Sequence, residues 1–165
     1  MSTEEHRATS PGSVRCFVLT ISDSRTPETD TSGDAIATLL AEAGHEVLGR
    51  SLVKDDPEKV RTAIDSRPEG TQVVITNGGT GITSRDSTYE AITTLLDKRL
   101  DGFGELFRML SYQQIGAAAM LSRACAGTIG RTGVFSLPGS EHAVRLAMSK
   151  LILPEIGHVV RELSR

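Results

Sequence analysis

Two cysteines in 165 residues are too few for a disulfide framework. Cys16 sits in an apolar run and Cys125 among small residues, so both are expected as buried free thiols of a reducing, cytoplasmic compartment. Lysine and arginine form no run, and the formal net charge is −3. The basic face that nucleic acid requires is therefore missing. No apolar run approaches the ~20 residues of a membrane span. Met1 to Ser13 is polar and lacks the apolar core of a signal peptide, so residues 1–13 read as a flexible tail. The four histidines (His6, His45, His142, His158) have no ligand-like spacing, which argues against a zinc site.

What is present fits one soluble globular domain over residues 14–165. Hydrophobic residues make up 38% and charged residues 24%, both ordinary values. A chain of this length buries roughly 70% of its unfolded surface. Val14 to Ile21 reads as a first strand. Thr31 or Ser32 caps a helix that runs to Ala43 and stops at Gly44. Glu46 to Val53 is a second strand. Asp56 caps a helix with Pro57 as its first residue, which ends before Pro68. Gln72 to Asn77 is a third strand. Ser87 and Glu90 match a capping box for a helix reaching about Asp97. Phe103, Leu106, Phe107 and Leu110 mark an amphipathic helix, a core or subunit-interface face, and an alanine-rich helix follows from about Ile115 to Ala124. Gly127 and Gly130 read as turns, and Gly133 to Leu137 as the last strand. Ser140 caps a further helix, which Pro154 divides from a final one ending near Leu163.

This order predicts an α/β three-layer sandwich, a mostly parallel sheet with helices on both faces. Ligands of such sheets sit outside the carboxyl ends of the strands. The loops leaving those ends are Ser22–Asp30, Lys54–Asp56, Asn77–Asp86 and Pro138–Ser140. Gly78, Gly79 and Gly81 allow a backbone nest for an anion such as phosphate, although a tight turn without ligand explains them equally well. The turn is not a Walker loop, because Ile82 and Thr83 follow its last glycine, and Ser84 spoils a dinucleotide fingerprint. Asp55 and Asp86 form a carboxylate pair able to hold Mg²⁺ or take a proton. The plainer readings are a helix-end charge for Asp86 and a solvated or capping residue for Asp55. Arg85 is a phosphate ligand or a lone surface arginine. Ser140 reads as a cap whose turn offers N–H groups to an anion, since no nucleophile elbow surrounds it.

Together these residues resemble the MogA/MoaB family of molybdenum-cofactor biosynthesis proteins, the MoaB branch in particular. The resemblance rests on Thr76-Asn77-Gly78-Gly79-Thr80-Gly81 followed by Arg85-Asp86, and on Leu137-Pro138-Gly139-Ser140. It rests also on the stretch from Gly102 to Tyr112 that continues to Met120-Leu121-Ser122-Arg123-Ala124. It implies a molybdopterin-binding sandwich that assembles as a trimer, or as a hexamer built from two trimers. It further implies transfer of AMP from ATP to the terminal phosphate of molybdopterin with Mg²⁺, and a hand-over to other proteins of the same pathway. The family's two functional aspartates map to Asp55 (or its neighbour Asp56) and Asp86, with Asp86 toward the metal. Gly78, Gly79, Thr80, Gly81, Ser122, Pro138, Gly139 and Ser140 map to phosphate- and pterin-holding positions. A non-catalytic pterin- or nucleotide-binding oligomer is the alternative. A pyrophosphatase of the CinA type is a third reading.

Overall fold

Side chains of alternating direction along the first strand decide the architecture. In β1 (Arg15–Ile21), Cys16 and Val18 point to one face, while Phe17, Leu19 and Ile21 point to the other. All five are buried, as is Thr20 between them, as expected for a central strand covered on both sides. The computed structural model describes residues 2–165. β1 lies between β2 (Glu46–Val53) and β3 (Val73–Asn77), parallel to both. β3 pairs in parallel with β6 (Thr132–Leu137), which is joined antiparallel to β5 (Cys125–Ile129). The two-residue β4 (Lys98–Arg99) closes the edge, giving the order β2-β1-β3-β6-β5-β4.

Helices cover both faces, so the expected sandwich is what forms. One face packs α2 (Thr31–Glu42), α5 (Asp101–Ile115), α6 (Glu141–Ala147) and α7 (Leu153–Leu163) through Ile36, Leu40, Phe107, Val144 and Ile156. The other packs α3 (Pro57–Asp65) and α4 (Thr88–Thr93) through Val60, Ile64, Ala91 and Ile92.

Several elements differ from the sequence reading. The segment read as a tail carries α1 (Thr3–Ala8), capped by Ser2 in a reciprocal box with Glu5. Arg7 ion-pairs with Glu155 of α7. Gly157 leaves room for the crossing chain, since a Cβ there would lie 2.8 Å from the Pro11 carbonyl oxygen. Asp30, not Thr31 or Ser32, caps α2. Ser87 makes no capping bond, and α4 ends at Thr93 rather than near Asp97. The alanine-rich stretch is a 3-10 helix over Gly116–Leu121. Gly130 does turn the chain, but Gly127 lies within β5, where a Cβ would meet the Lys98 carbonyl oxygen at 2.3 Å. Pro154 does not break the last helix. A wide π turn over Met148–Ile152 joins α6 to α7 and accommodates the missing N–H.

Ile64 is fully buried on the α3 face. Ile64→Ala is expected to cost about 2–5 kcal/mol, read as a lower denaturation midpoint at unchanged slope.

Candidate functional site

The chain leaves β1 for β2 on one side and returns to β3 on the other. The strand order therefore reverses between β1 and β3, the place where open α/β sheets bind ligands. A cleft of about 690 Å³ opens there. Its wall includes Asp55 and Asp86, the glycine loop Gly78, Gly79, Thr80 and Gly81, Ser122, and the turn Pro138, Gly139 and Ser140. All ten residues singled out in the sequence thus share one cavity. Asp56 is turned away and caps α3 through Lys59 N–H. Asp23, Arg25, Asn77 and Arg85 also line the cleft.

The floor is built around Asp30, a buried carboxylate. It caps α2 through Gly33 N–H and accepts from the Thr20 hydroxyl at 2.7 Å. Thr20 Oγ1 in turn accepts from Asn77 Nδ2 at 3.0 Å. Arg50 of β2 reaches Asp30 at 3.3 Å, and Arg25 Nη1 lies 3.7 Å from the other Asp30 oxygen. Arg25 and Ser32 both donate to the Gly139 carbonyl oxygen. One carboxylate thus fixes the ends of β1, β3 and β6 relative to α2. Asn77 Oδ1 and Arg25 Nη1 stay buried without a hydrogen-bond partner among the described residues. Buried polar atoms usually find partners, so both are available to a ligand or water.

The glycine loop is shaped first by the protein's own packing. Gly78 has φ +104°, and a Cβ there would lie 1.9 Å from the Ile21 carbonyl oxygen. Gly79 has φ +69°, and a Cβ would lie 1.9 Å from Thr88 Oγ1 and 2.7 Å from Asp55 Oδ2. Gly78 N–H is already spent on the Leu137 carbonyl oxygen. The amides of Gly79, Thr80 and Gly81 have no acceptor among the described residues, so the free donors of the nest begin at Gly79. Arg123 fastens the loop from behind through the Thr80, Gly81 and Asp86 carbonyl oxygens. In the sequence Arg123 stands only within the stretch that carries the resemblance, with no role of its own.

The carboxylates differ in environment. Asp55 is buried, and its Oδ1 accepts from Ser87 Oγ at 2.8 Å and Ser87 N–H at 3.3 Å. Ser87 spends its hydroxyl here, which explains the missing cap on α4. Burial pushes the Asp55 carboxyl above its ordinary range; the Ser87 bonds oppose this, and the Asp86 and Asp23 charges add to it. Asp86 fixes Oδ2 on Thr83 N–H and Oγ1 at 2.9 and 2.7 Å. Its Oδ1 has no donor among the described residues. Arg85 is not a lone surface arginine. It bonds both oxygens of Asp23 and the Asp55 carbonyl oxygen, and the Arg85 bond holds the Asp23 carboxyl below its ordinary range.

These carboxylates offer hard oxygen donors suited to Mg²⁺. Among the described residues they do not converge on one point as a three-donor cage. The set fits an ion shared between one or two carboxylates and a ligand's phosphates, the usual manner for Mg²⁺.

A family model described as a probable molybdopterin binding domain matches residues 17–158. The chain is similar to molybdenum cofactor biosynthesis protein B of Bacillus cereus, with 58% identity over 168 residues, covering 100% of this chain and 99% of that protein. A crystal structure of a molybdenum cofactor biosynthesis protein B superposes with TM-score 0.91 at 59% identity, covering 95% and 99% of the two chains. The tungsten cofactor synthesizing protein MoaB from Pyrococcus furiosus superposes with TM-score 0.84 at 38% identity, covering 94% and 100%.

Two outcomes follow from this geometry. Asp55 binds its proton more tightly folded than unfolded, so its stabilising contribution is present at low pH and lost as pH rises through the folded value. Asp55→Asn keeps the acceptor for Ser87 and removes the buried charge. It should raise the melting temperature at pH 8, with a gain that shrinks toward pH 4 in calorimetry. Gly79→Ala forces a Cβ into Thr88 at a left-handed φ and should cost at least about 1–2 kcal/mol.

Proposed function

The chain belongs to the molybdopterin-binding family of molybdenum-cofactor biosynthesis proteins, in its MoaB/MogA group, and from that premise we propose that it transfers AMP from ATP to the terminal phosphate of molybdopterin. The observation that carries the proposal is the convergence of Asp55, Asp86 and the free amides of Gly79 to Gly81 on one cleft at the strand-order reversal. In this reaction a terminal phosphate oxygen of the pterin attacks the α-phosphorus of ATP, the bond to the β-phosphate bridging oxygen breaks, and pyrophosphate leaves. Such transfers depend on positioning and charge neutralisation more than on covalent help from the protein.

The residues divide those tasks. The Gly79–Gly81 amides cradle phosphate oxygens, and Gly139 and Ser140 line the same cavity just before α6. Mg²⁺, when bound, neutralises phosphate charge. Asp86 is the residue to hold it, because Thr83 fixes Oδ2 and leaves Oδ1 open. Asp55, beside the same glycine loop, positions the pterin or the metal. Asn77 Oδ1 is an unsatisfied acceptor for a ligand N–H, and Ser122 marks the pterin side.

We also propose that the active form is a homo-oligomer, a trimer or a hexamer of two trimers. Leu106, Met109, Tyr112, Ile115, Met120 and Leu121 leave a large apolar surface on α5 and the 3-10 helix. Leu121 reaches the cleft itself. No helix is long and apolar enough to cross a membrane. The reaction is placed in the cytoplasm, where the adenylylated pterin passes to another protein of the pathway.

The test is AMP transfer from labelled ATP to molybdopterin with Mg²⁺. The wild type should form the adenylylated pterin, and Asp86→Ala should lower the rate roughly 100-fold or more, the range for losing a preorganised electrostatic group. A folded wild type that binds the pterin without transfer would leave the non-catalytic binding role instead.

A further inference from the structure

A second cluster of ligating side chains lies at the opposite end of the sheet from the cleft. His6 of α1 and His158 and Glu162 of α7 bring one donor atom each to within 4.8 Å of one another. The neighbouring Val159 and Leu163 face Gly133, at the amino end of β6. We propose that these three residues bind one divalent transition-metal ion of the zinc class and thereby tie the first helix to the last.

The donor set is two imidazoles and one carboxylate, which selects zinc, cobalt or nickel over Mg²⁺. His6 Nδ1 lies 3.1 Å from Glu162 Oε1, and His158 Nε2 lies 3.9 Å from the same oxygen. A tetrahedral ion with bonds of about 2.0–2.1 Å holds its ligands about 3.3–3.4 Å apart. One pair lies close to that spacing and the other is wider, so binding draws His158 toward Glu162. His158 Nδ1 lies 2.8 Å from Glu155 Oε2. A carboxylate there accepts a hydrogen bond from Nδ1–H, which keeps the proton on Nδ1 and leaves the Nε2 lone pair free, the usual outer support of a metal-bound histidine. Arg7 of α1 in turn holds Glu155. The side chains of His6, His158 and Glu162 are 19%, 22% and 42% exposed, which leaves an entry path and a place for water as fourth ligand. Arg161 and Arg165 also contact Glu162 and compete with the ion for the carboxylate. The sequence hid this constellation because its donors come from opposite ends of the chain.

The experiment is titration of the untagged full chain with Co²⁺ at pH 7.5, read by visible absorption. One equivalent should bind with the strong d–d bands of a tetrahedral nitrogen-ligated ion, and Zn²⁺ should displace it. His6→Ala and His158→Ala should each weaken binding at least tenfold, and Glu155→Gln about 10–100-fold. His6 lies on a terminal helix, so circular dichroism of His6→Ala should match the wild type. Asp86→Asn should leave the spectrum unchanged, which separates this site from the cleft. Absence of Co²⁺ binding, or binding unaltered in both histidine variants, would overturn the proposal.

Discussion

The Asp30 carboxylate is the fixed point of the molecule's functional end. Parallel strands bring their carboxyl ends together, but nothing in a backbone ladder sets the loops beyond them. Asp30 does so with a buried charge balanced by a helix amide, a hydroxyl and two guanidinium groups. A buried charge stripped of its partners is strongly unfavourable, so the four groups must stay in place together. Gly33 belongs to the same arrangement, since a Cβ at that position would lie 2.2 Å from Asp30 Oδ2. The cleft floor is therefore specified by electrostatics, while the walls are specified by packing.

Around that floor the cleft stores unfavourable terms. Asp55 is held in a desolvated position, Asn77 Oδ1 lacks a hydrogen-bond partner among the described residues, and two loop glycines adopt left-handed angles. Each costs stability in the isolated chain, and a polar, phosphate-bearing ligand would relieve several at once. Strain of this kind concentrates where a protein is shaped for something other than its own stability.

Regular elements with strong local signals were legible in the sequence. β2 matches its expected bounds, and α3 has the expected Asp56 cap and Pro57 start. The convergence of the candidate residues on one cleft was legible too, because polar and glycine-bearing loops after parallel strands must share a rim. What escaped depends on distant partners. Ser87 looks like a cap by spacing, but Asp55 lies closer to its hydroxyl. β5 is Cys-Ala-Gly-Thr-Ile, too poor in β-branched residues to announce a strand, and exists because β6 and β4 pair with it. Arg123 and Asp30 act through contacts far away in the chain, which no local pattern reveals. α1 has its own capping box, yet its docking depends on Glu155 and Gly157 near the other terminus.

The place of β6 in the sheet has a consequence for synthesis. It is the last strand in the chain, yet it lies inside, between β3 and β5. As the polypeptide leaves the ribosome, β2, β1 and β3 can pair first, and β3 then presents an open edge, apolar over Val73 to Ile75, until residue 137 has emerged. Unpaired edges of this kind invite pairing with the wrong chain. At translation speeds of about 5–20 residues per second, that exposure lasts several seconds between Asn77 and Leu137. The same wait applies to the cleft, whose last wall arrives with Pro138 to Ser140. A nascent chain therefore has no ligand site to stabilise it during the interval in which it is most vulnerable.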